Sequence, residues 1–173
     1  RKHRRVILDQ LGLTEESKGL SINGEKDGAE DSEVLVGDEA TSFRALAARF
    51  NYLSSDCPDL QFPIKQCSRE MSKPTRGSWG RMKKVARYLL NREAVVWRFD
   101  WQDEPSHCYV ASDSDWGGNI KDRKSTSGRV WMLGDHTMKT WAASQGAIAL
   151  SSAEAEFYAM IEAVTRAKGL LSL

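Results

Sequence analysis

The chain has 173 residues, of which 40% are hydrophobic and 28% are charged, and its formal net charge is +1. This composition is typical of a soluble globular protein with a buried core. No apolar run approaches the roughly 20 residues needed to cross a bilayer, which excludes a membrane protein. Three cysteines without metal-ligand spacing predict reduced thiols in an intracellular protein that is not secreted (Cys57, Cys67 and Cys108).

The first 39 residues predict a short helix and then a linker. Apolar residues recur at helical spacing within 1–13, and Gly12 marks the end of that pattern. Residues 24–39 carry seven acidic residues against the single basic residue Lys26. Because so little apolar surface is available to offset the entropy of ordering, we predict an acidic linker over 24–39.

Residues 40–93 predict a purely helical segment. Apolar residues at three- and four-residue steps indicate a helix over about 39–56. A second helix is predicted from Pro58, which suits the first helical position, to a stop at Pro74. The third is predicted over about 76–91.

The two later helices are strongly basic. From Lys65 to Arg92 nine lysines and arginines stand against one acid, Glu70, which gives a net charge of +8. Such a surface is typical of contact with a phosphate backbone, although a basic solvent-exposed surface without a ligand gives the same pattern. The candidate nucleic-acid-binding residues are Lys73, Arg76, Lys83, Lys84 and Arg87.

After residue 93 the pattern changes to that of strands. Alternating β-branched and aromatic residues predict strands over 95–101, 108–112 and 129–133, and residues 137–142 are expected to pair back as a hairpin. Residues 121–128 predict a polar loop, and 151–173 predict a helix. The predicted fold class is therefore α/β in the α+β sense, with about three antiparallel strands and one helix in region 94–173.

The second predicted strand ends in acid. On a strand Tyr109, Ala111, Asp113 and Asp115 share one face, so we expect the first two to be packed and the two acids to emerge at the strand end. An acid on the face that a helix covers is costly unless it is paired or binds a metal ion. The alternative is that both acids belong to the following turn and face water.

The start of the last helix carries two further acids. Ser151 and Glu154 have the spacing of a capping box, which gives Glu154 a structural role as part of the helix cap. Glu156 has the helical neighbours Ala153, Ala159, Met160 and Ala163. In such a stripe of small apolar residues, an acid is better explained by a bound metal or other cation than by packing.

Three segments occur in order: Asp113-Ser-Asp-Trp-Gly-Gly, Asp122-Arg-Lys-Ser-Thr-Ser-Gly and Leu150-Ser-Ser-Ala-Glu-Ala-Glu-Phe. Together they resemble the ribonuclease H domain of Ty1/copia-type retrotransposon Pol polyproteins. Upstream segments such as Met71-Ser-Lys-Pro-Thr resemble the connection between reverse transcriptase and ribonuclease H in that family. The resemblance implies that 1–23 ends the reverse transcriptase region, 40–93 is the connection and 94–173 is a truncated ribonuclease H-like domain.

The resemblance also implies a site and its chemistry. The family's first metal-binding Asp falls on Asp113, and its helix Glu falls on Glu156. Two Mg2+ ions held by four carboxylates would hydrolyse the RNA strand of an RNA–DNA hybrid. The third and fourth carboxylates would lie in a strand and a helix beyond Leu173, so we expect the isolated chain to be inactive or nearly so. Expected partners are the hybrid and other parts of the polyprotein, in a cytoplasmic particle or the nucleus.

A second hypothesis belongs to another functional class. A remnant of a degenerate element could keep the basic helices as a non-enzymatic nucleic-acid-binding module or scaffold. The absence of an initiator Met and the helical pattern up to the last residue both indicate a fragment of a longer protein.

Overall fold

The computed structural model describes residues 2–21 and 33–172, and the chain divides into two compact units, 1–96 and 97–173. The fold is α+β, as predicted from the sequence. Its described elements are α1 (Lys2–Gln10), α2 (Gly37–Ser54), α3 (Pro58–Arg69), α4 (Arg76–Leu90), β1 (Cys108–Ser114), β2 (Thr126–Leu133), β3 (His136–Ser144) and α5 (Ser152–Leu171). No helix among these residues is long and apolar enough to span a membrane.

In the described part of the first unit, four helices pack together. Its core is built from the apolar stripes that the helical periodicity predicted, and the largest fully buried residues include Phe43, Phe50, Leu60 and Met82. Helix α1 packs against the end of α4, where Arg4 donates hydrogen bonds to the carbonyls of Leu89 and Leu90 at 2.8 and 3.2 Å. These bonds satisfy carbonyl groups that have no partner within α4 and place a positive charge at its negative end.

The helix boundaries follow local sequence signals. Pro58 occupies the first turn of α3, and Thr75 caps α4 through reciprocal bonds with Ser78. Most of the predicted acidic linker, residues 24–32, lies outside the described residues. Residues 37–39 of the predicted linker belong to α2, which begins at Gly37 rather than near residue 39. Val34 pairs with Thr75 in an isolated β-bridge.

The second unit contains a three-stranded antiparallel sheet in the order β1-β2-β3. The tight turn between β2 and β3 places Gly134 at φ +58°, a conformation that favours glycine. Strand β2 begins at Thr126, so it takes in the last residues of the predicted polar loop 121–128. Strands β1 and β3 are also slightly longer than predicted.

The predicted strand over 95–101 is wrong. Residues 92–105, all of which the structure describes, form neither helix nor strand. Val96 and Trp101 are 86% and 92% exposed, so their side chains find no sheet surface to pack against. The propensity of β-branched and aromatic residues reflects such packing, and without a paired neighbour it does not produce a strand.

Helix α5 lies against one face of the sheet. Its buried stripe is Ala155, Ala159, Ala163 and Ala167, whereas the predicted stripe included Ala153 and Met160, which are exposed. From β2, the fully buried side chain of Arg129 donates to the Ala159 carbonyl and forms an ion pair with Glu162. Small residues let the helix approach the sheet closely, and the longer apolar residues of α5 point outward (Phe157, Met160, Ile161 and Val164).

Candidate functional site

Asp113 lies at the C-terminal end of β1 and is exposed. The register pairs it with Gly128, next to Arg129, whose side chain faces α5. Because side chains alternate along a strand, Asp113 points to the sheet face opposite α5. The expectation that this side of β1 is packed is therefore wrong, and Tyr109 on the same face is 57% exposed.

The Asp113 carboxylate makes no hydrogen bond or ion pair with any residue that the structure describes. Its exposure lets it meet a solvated ligand without first breaking an internal contact. Asp113 therefore has the two properties that a metal-binding carboxylate needs at an open site, an accessible oxygen and no competing donor.

Glu156 reaches the same strand end from α5. Its Oε1 accepts a hydrogen bond of 3.1 Å from the backbone N–H of Ser114, the residue that follows Asp113. It lies in the second turn of α5, beside the alanine stripe. Helix and strand thus bring Asp113 and Glu156 to one end of β1, from opposite sides of the strand.

Asp115 has a structural role. Its Oδ1 accepts a hydrogen bond from the Thr126 backbone N–H, which joins the end of β1 to the start of β2. Asp115 and Asp113 were equal candidates by strand parity alone. One oxygen of Asp115 is bound within the chain, whereas Asp113 is exposed and has no internal bond, so Asp113 is the better candidate for binding a ligand.

The cap of α5 involves the predicted residues with one difference. Ser151 accepts a hydrogen bond of 3.1 Å from the Glu154 backbone N–H. The Glu154 carboxylate accepts from the N–H of Leu150 at 2.7 Å, one residue before the one that a capping box would use. It also accepts from the Tyr158 hydroxyl, and this bond raises the pKa of Tyr158. Glu154 is thus committed to the helix start.

The basic residues of the first unit separate into two groups. Lys73, Lys83 and Lys84 are exposed and have no acidic partner among the described residues. Arg76 is paired with Glu39 at 2.8 Å, and that bond raises its pKa. Arg87 donates to the Lys18 carbonyl at 2.7 Å. The three lysines are therefore the predicted nucleic-acid-binding residues that remain available.

Sequence reasoning missed a buried polar cluster beneath the site. Gln145 donates through Nε2 to the Ser127 hydroxyl at 2.9 Å and to the Ala155 carbonyl at 2.8 Å. These bonds tie β2 to the first turn of α5, directly before Glu156. The sequence feature that belongs to this cluster is the Ser125-Thr126-Ser127 run. These three residues were predicted to lie in a polar loop, but they are almost fully buried.

Few carboxylates in the described part of the chain lie where they could bind a metal ion together. Within the described ranges, no group of three or more His, Cys, Asp or Glu residues could hold a metal ion. Asp113 offers a free carboxylate, and Glu156 has one oxygen beyond the one that binds Ser114. Carboxylate oxygens suit a hard divalent cation such as Mg2+, which normally keeps several water ligands. The oxygen donors of these two residues suit such an ion.

Comparison with known proteins identifies the relatives of the chain. The retrovirus-related Pol polyprotein from transposon RE2 of Arabidopsis thaliana is 29% identical over 136 residues, which cover 78% of this chain and 9% of that protein. The corresponding polyprotein from transposon RE1 is 25% identical over 174 residues, covering 98% of this chain and 12% of that protein. The secreted RxLR effector protein 161 of Plasmopara viticola is 32% identical over 110 residues, which cover 64% of this chain and 77% of that protein.

No protein-family model and no solved structure matches the chain. The chain spans about a tenth of the length of the two Arabidopsis polyproteins, and the similarity to RE1 runs along nearly all of it. The chain therefore belongs to the family of retrovirus-related Pol polyproteins of copia-like transposons and corresponds to a segment of such a polyprotein.

Proposed function

We propose that this chain supplies the first part of a ribonuclease H-type site within a Pol polyprotein, which hydrolyses the RNA strand of RNA–DNA hybrids. One observation carries the proposal. The Ser114 N–H···Glu156 hydrogen bond holds a helix carboxylate at the end of the strand on which Asp113 is exposed and unpaired. Two carboxylates at one strand end are the start of a two-metal site for phosphodiester hydrolysis.

Asp113 and Glu156 are the residues that would hold Mg2+ here, Glu156 through the oxygen that does not bind Ser114. When bound, the ions would activate the attacking water and stabilise the leaving oxygen. Asp113 is open to a phosphate approaching from solvent, whereas the Ser114 bond limits the positions open to Glu156. Because the chain spans about a tenth of the length of the Arabidopsis polyproteins, catalysis is proposed for the polyprotein, with the hybrid as its substrate.

Cleavage by the Pol polyprotein that carries this segment tests the proposal. We expect Asp113→Asn and Glu156→Gln each to slow Mg2+-dependent cleavage of the RNA strand by roughly a hundredfold or more, about 2.7 kcal/mol of lost transition-state stabilisation. Asp103→Asn, which neutralises an exposed acid of the same unit, is the matched control. Cleavage that continues at the normal rate in both site variants would overturn the proposal.

Metal binding by the 173-residue chain gives a second readout that does not require activity. Mn2+ is a paramagnetic substitute for Mg2+, and we expect it to broaden the amide signals of residues around Asp113 and Ser114. Asp113→Asn should remove this broadening, while Asp103→Asn should leave it unchanged. Equal broadening in both variants would mean that the ions bind elsewhere.

A non-enzymatic nucleic-acid-binding module is the second candidate. It is favoured by the exposed and unpaired state of Lys73, Lys83 and Lys84 in the first unit. Salt-dependent binding of a hybrid that survives Asp113→Asn and Glu156→Gln, together with a polyprotein that cleaves no RNA in Mg2+, would support this candidate over the enzyme.

A further inference from the structure

The loop between β1 and β2, residues 115–125, contains an unusual arginine. Arg123 has φ +56° and is the single non-glycine residue with positive φ in the part of the chain that the structure describes. A long side chain is disfavoured in this left-handed conformation. Such strain persists only where the surrounding structure enforces it, and it often accompanies function.

The loop enforces this conformation by hydrogen bonds that also occupy its acids. The Arg123 backbone N–H donates to the Asn119 carbonyl at 2.7 Å. Asp122 accepts from the Asn119 amide and from the Lys124 backbone N–H, and Asp115 accepts from the Thr126 backbone N–H. Both carboxylates of the loop therefore stabilise its backbone.

The guanidinium of Arg123 is exposed and lies close to the backbone of Gly117. A Cβ added to Gly117 would lie only 3.2 Å from Arg123 Nη2, so the bare backbone of Gly117 makes room for the guanidinium. Gly117 is itself fixed, because its N–H donates to the buried Ser125 hydroxyl at 3.0 Å. Arg123 forms no ion pair with any described residue. The loop thus presents an exposed cation that has no counter-charge among the described residues.

An aromatic ring lies in the same loop. The Trp116 indole N–H donates to the Ala149 carbonyl at 3.1 Å, which fixes a ring that is about half exposed. An exposed aromatic ring and an arginine on one loop are a common combination for binding nucleic acids, in which the guanidinium binds phosphate and the ring packs against a sugar or base. The loop begins two residues after Asp113, at the same end of β1.

We propose that Arg123 binds a backbone phosphate of the nucleic acid and holds the strand at the end of β1 that carries Asp113. This inference rests on the proposed function for the identity of the substrate, because a hybrid supplies the phosphate. The guanidinium can make two parallel hydrogen bonds to phosphate oxygens, which lysine cannot do. Arg123 is a binding and positioning residue and takes no part in bond breaking.

The left-handed backbone of Arg123 allows a sharp test. Arg123→Gly removes the guanidinium and relieves the strain, so we expect an unchanged melting temperature for the second unit or an increase of about 2–4 °C. In fluorescence anisotropy with a labelled RNA–DNA hybrid, the same variant of the 173-residue chain should bind roughly tenfold more weakly at fixed salt. The slope of log K against log salt should fall by about 0.9, the value for one lost phosphate contact.

Two further variants control the measurement. Arg123→Lys keeps the charge and should restore most of the salt slope but only part of the affinity. Arg166→Gln removes one charge from α5, about 15 Å along the helix from Glu156. It should change the hybrid affinity and the salt slope less than Arg123→Gly does. Weaker binding by a variant that is at least as stable as the original chain cannot be explained by misfolding.

The outcomes separate this inference from the function on which it rests. Normal binding and slope in Arg123→Gly would overturn the phosphate contact and leave the proposed hydrolysis standing. Loss of binding in Arg123→Gly, with cleavage by the polyprotein insensitive to Asp113→Asn, would support the contact and overturn the hydrolysis. A wild-type chain that does not bind the hybrid even at low salt would overturn the contact outright.

Discussion

Glu156 accepts a 3.1 Å hydrogen bond from the backbone N–H of Ser114, a residue 42 positions earlier in the sequence. This bond spans the gap between α5 and the outer edge of β1. It fixes the helix start relative to the strand end and uses one oxygen of the carboxylate, so the same side chain has a structural and a proposed functional role. The two roles can be separated by substitution.

Glu156→Ala removes the acceptor, and Glu156→Gln retains it. We expect the alanine variant to lose about 1 kcal/mol of unfolding free energy, because the Ser114 N–H is left without its partner. The glutamine variant should lose less than half of that. Urea denaturation measures the stability, and hydrogen exchange at the Ser114 amide reports the bond directly. Equal protection of Ser114 in both variants would argue against the bond.

The ion pair between Arg129 and Glu162 should depend on which partner is removed. Burial lowers the pKa of Arg129 and Glu162 opposes that shift, so the buried guanidinium depends on its counter-charge. We expect Glu162→Ala to cost about 1–3 kcal/mol, less than for a fully buried pair because the Glu162 side chain is 42% exposed.

Arg129→Met removes the charge and keeps an apolar side chain of similar length. We expect it to change the unfolding free energy by less than about 1 kcal/mol, and the double variant should recover most of the loss caused by Glu162→Ala. Urea unfolding of the three variants measures these differences. A double variant as unstable as Glu162→Ala alone would contradict the assignment.

Lys83 and Lys84 should contribute to nucleic-acid binding more than Arg76 does. We expect Lys83→Glu with Lys84→Glu to weaken hybrid binding and to lower the salt slope by about 1.8, or 0.9 for each phosphate contact. Arg76→Gln should have a smaller effect, because that guanidinium is already paired with Glu39. Anisotropy titrations across a salt series measure both quantities. An unchanged slope in the lysine variant would identify these residues as ordinary surface.

Cys57 should make the stability of the first unit depend on alkaline pH. Burial raises the pKa of the thiol, and the Asp59 and Asp56 carboxylates raise it further. The folded state therefore holds the proton more tightly than the unfolded state, in which a thiol titrates near about 8.5. This contribution is fully present below that pH and is lost as the pH rises through the folded pKa.

We expect the unfolding free energy of the first unit to decline above about pH 8.5 more steeply in the original chain than in Cys57→Ser. Alkylation of Cys57 by iodoacetamide, followed by peptide mass mapping, should also be slower than for a free thiol at the same pH. Identical pH profiles of the two proteins would show that the thiol stays unshifted.

The helices could be predicted from the sequence because each depends on a local pattern. Pro58 and Ser151 mark helix starts through short-range chemistry, and both lie at the starts seen in the structure. The strand over 95–101 could not be excluded in this way, since a strand exists only if another strand pairs with it. Pairing over long sequence separations is not encoded in the segment itself.

The candidate site was predicted in part. Asp113 and Glu156 were candidates from the sequence, but the face of β1 that packs against α5 was predicted wrongly. The alternation of side chains along a strand shows which residues share a face, but not which of the two faces the helix covers. The occupation of Asp115, Arg76 and Arg87 by internal partners depends on tertiary contacts. Fewer charged side chains are therefore available to bind a ligand than the sequence predicted.

The distribution of side-chain sizes on α5 reverses the usual relation between residue size and mutational sensitivity. Its alanines face the sheet, while Phe157, Met160 and Val164 point away from it. A comprehensive substitution scan of this chain alone should find the smallest residues of the helix the least replaceable and its large apolar ones the most tolerant.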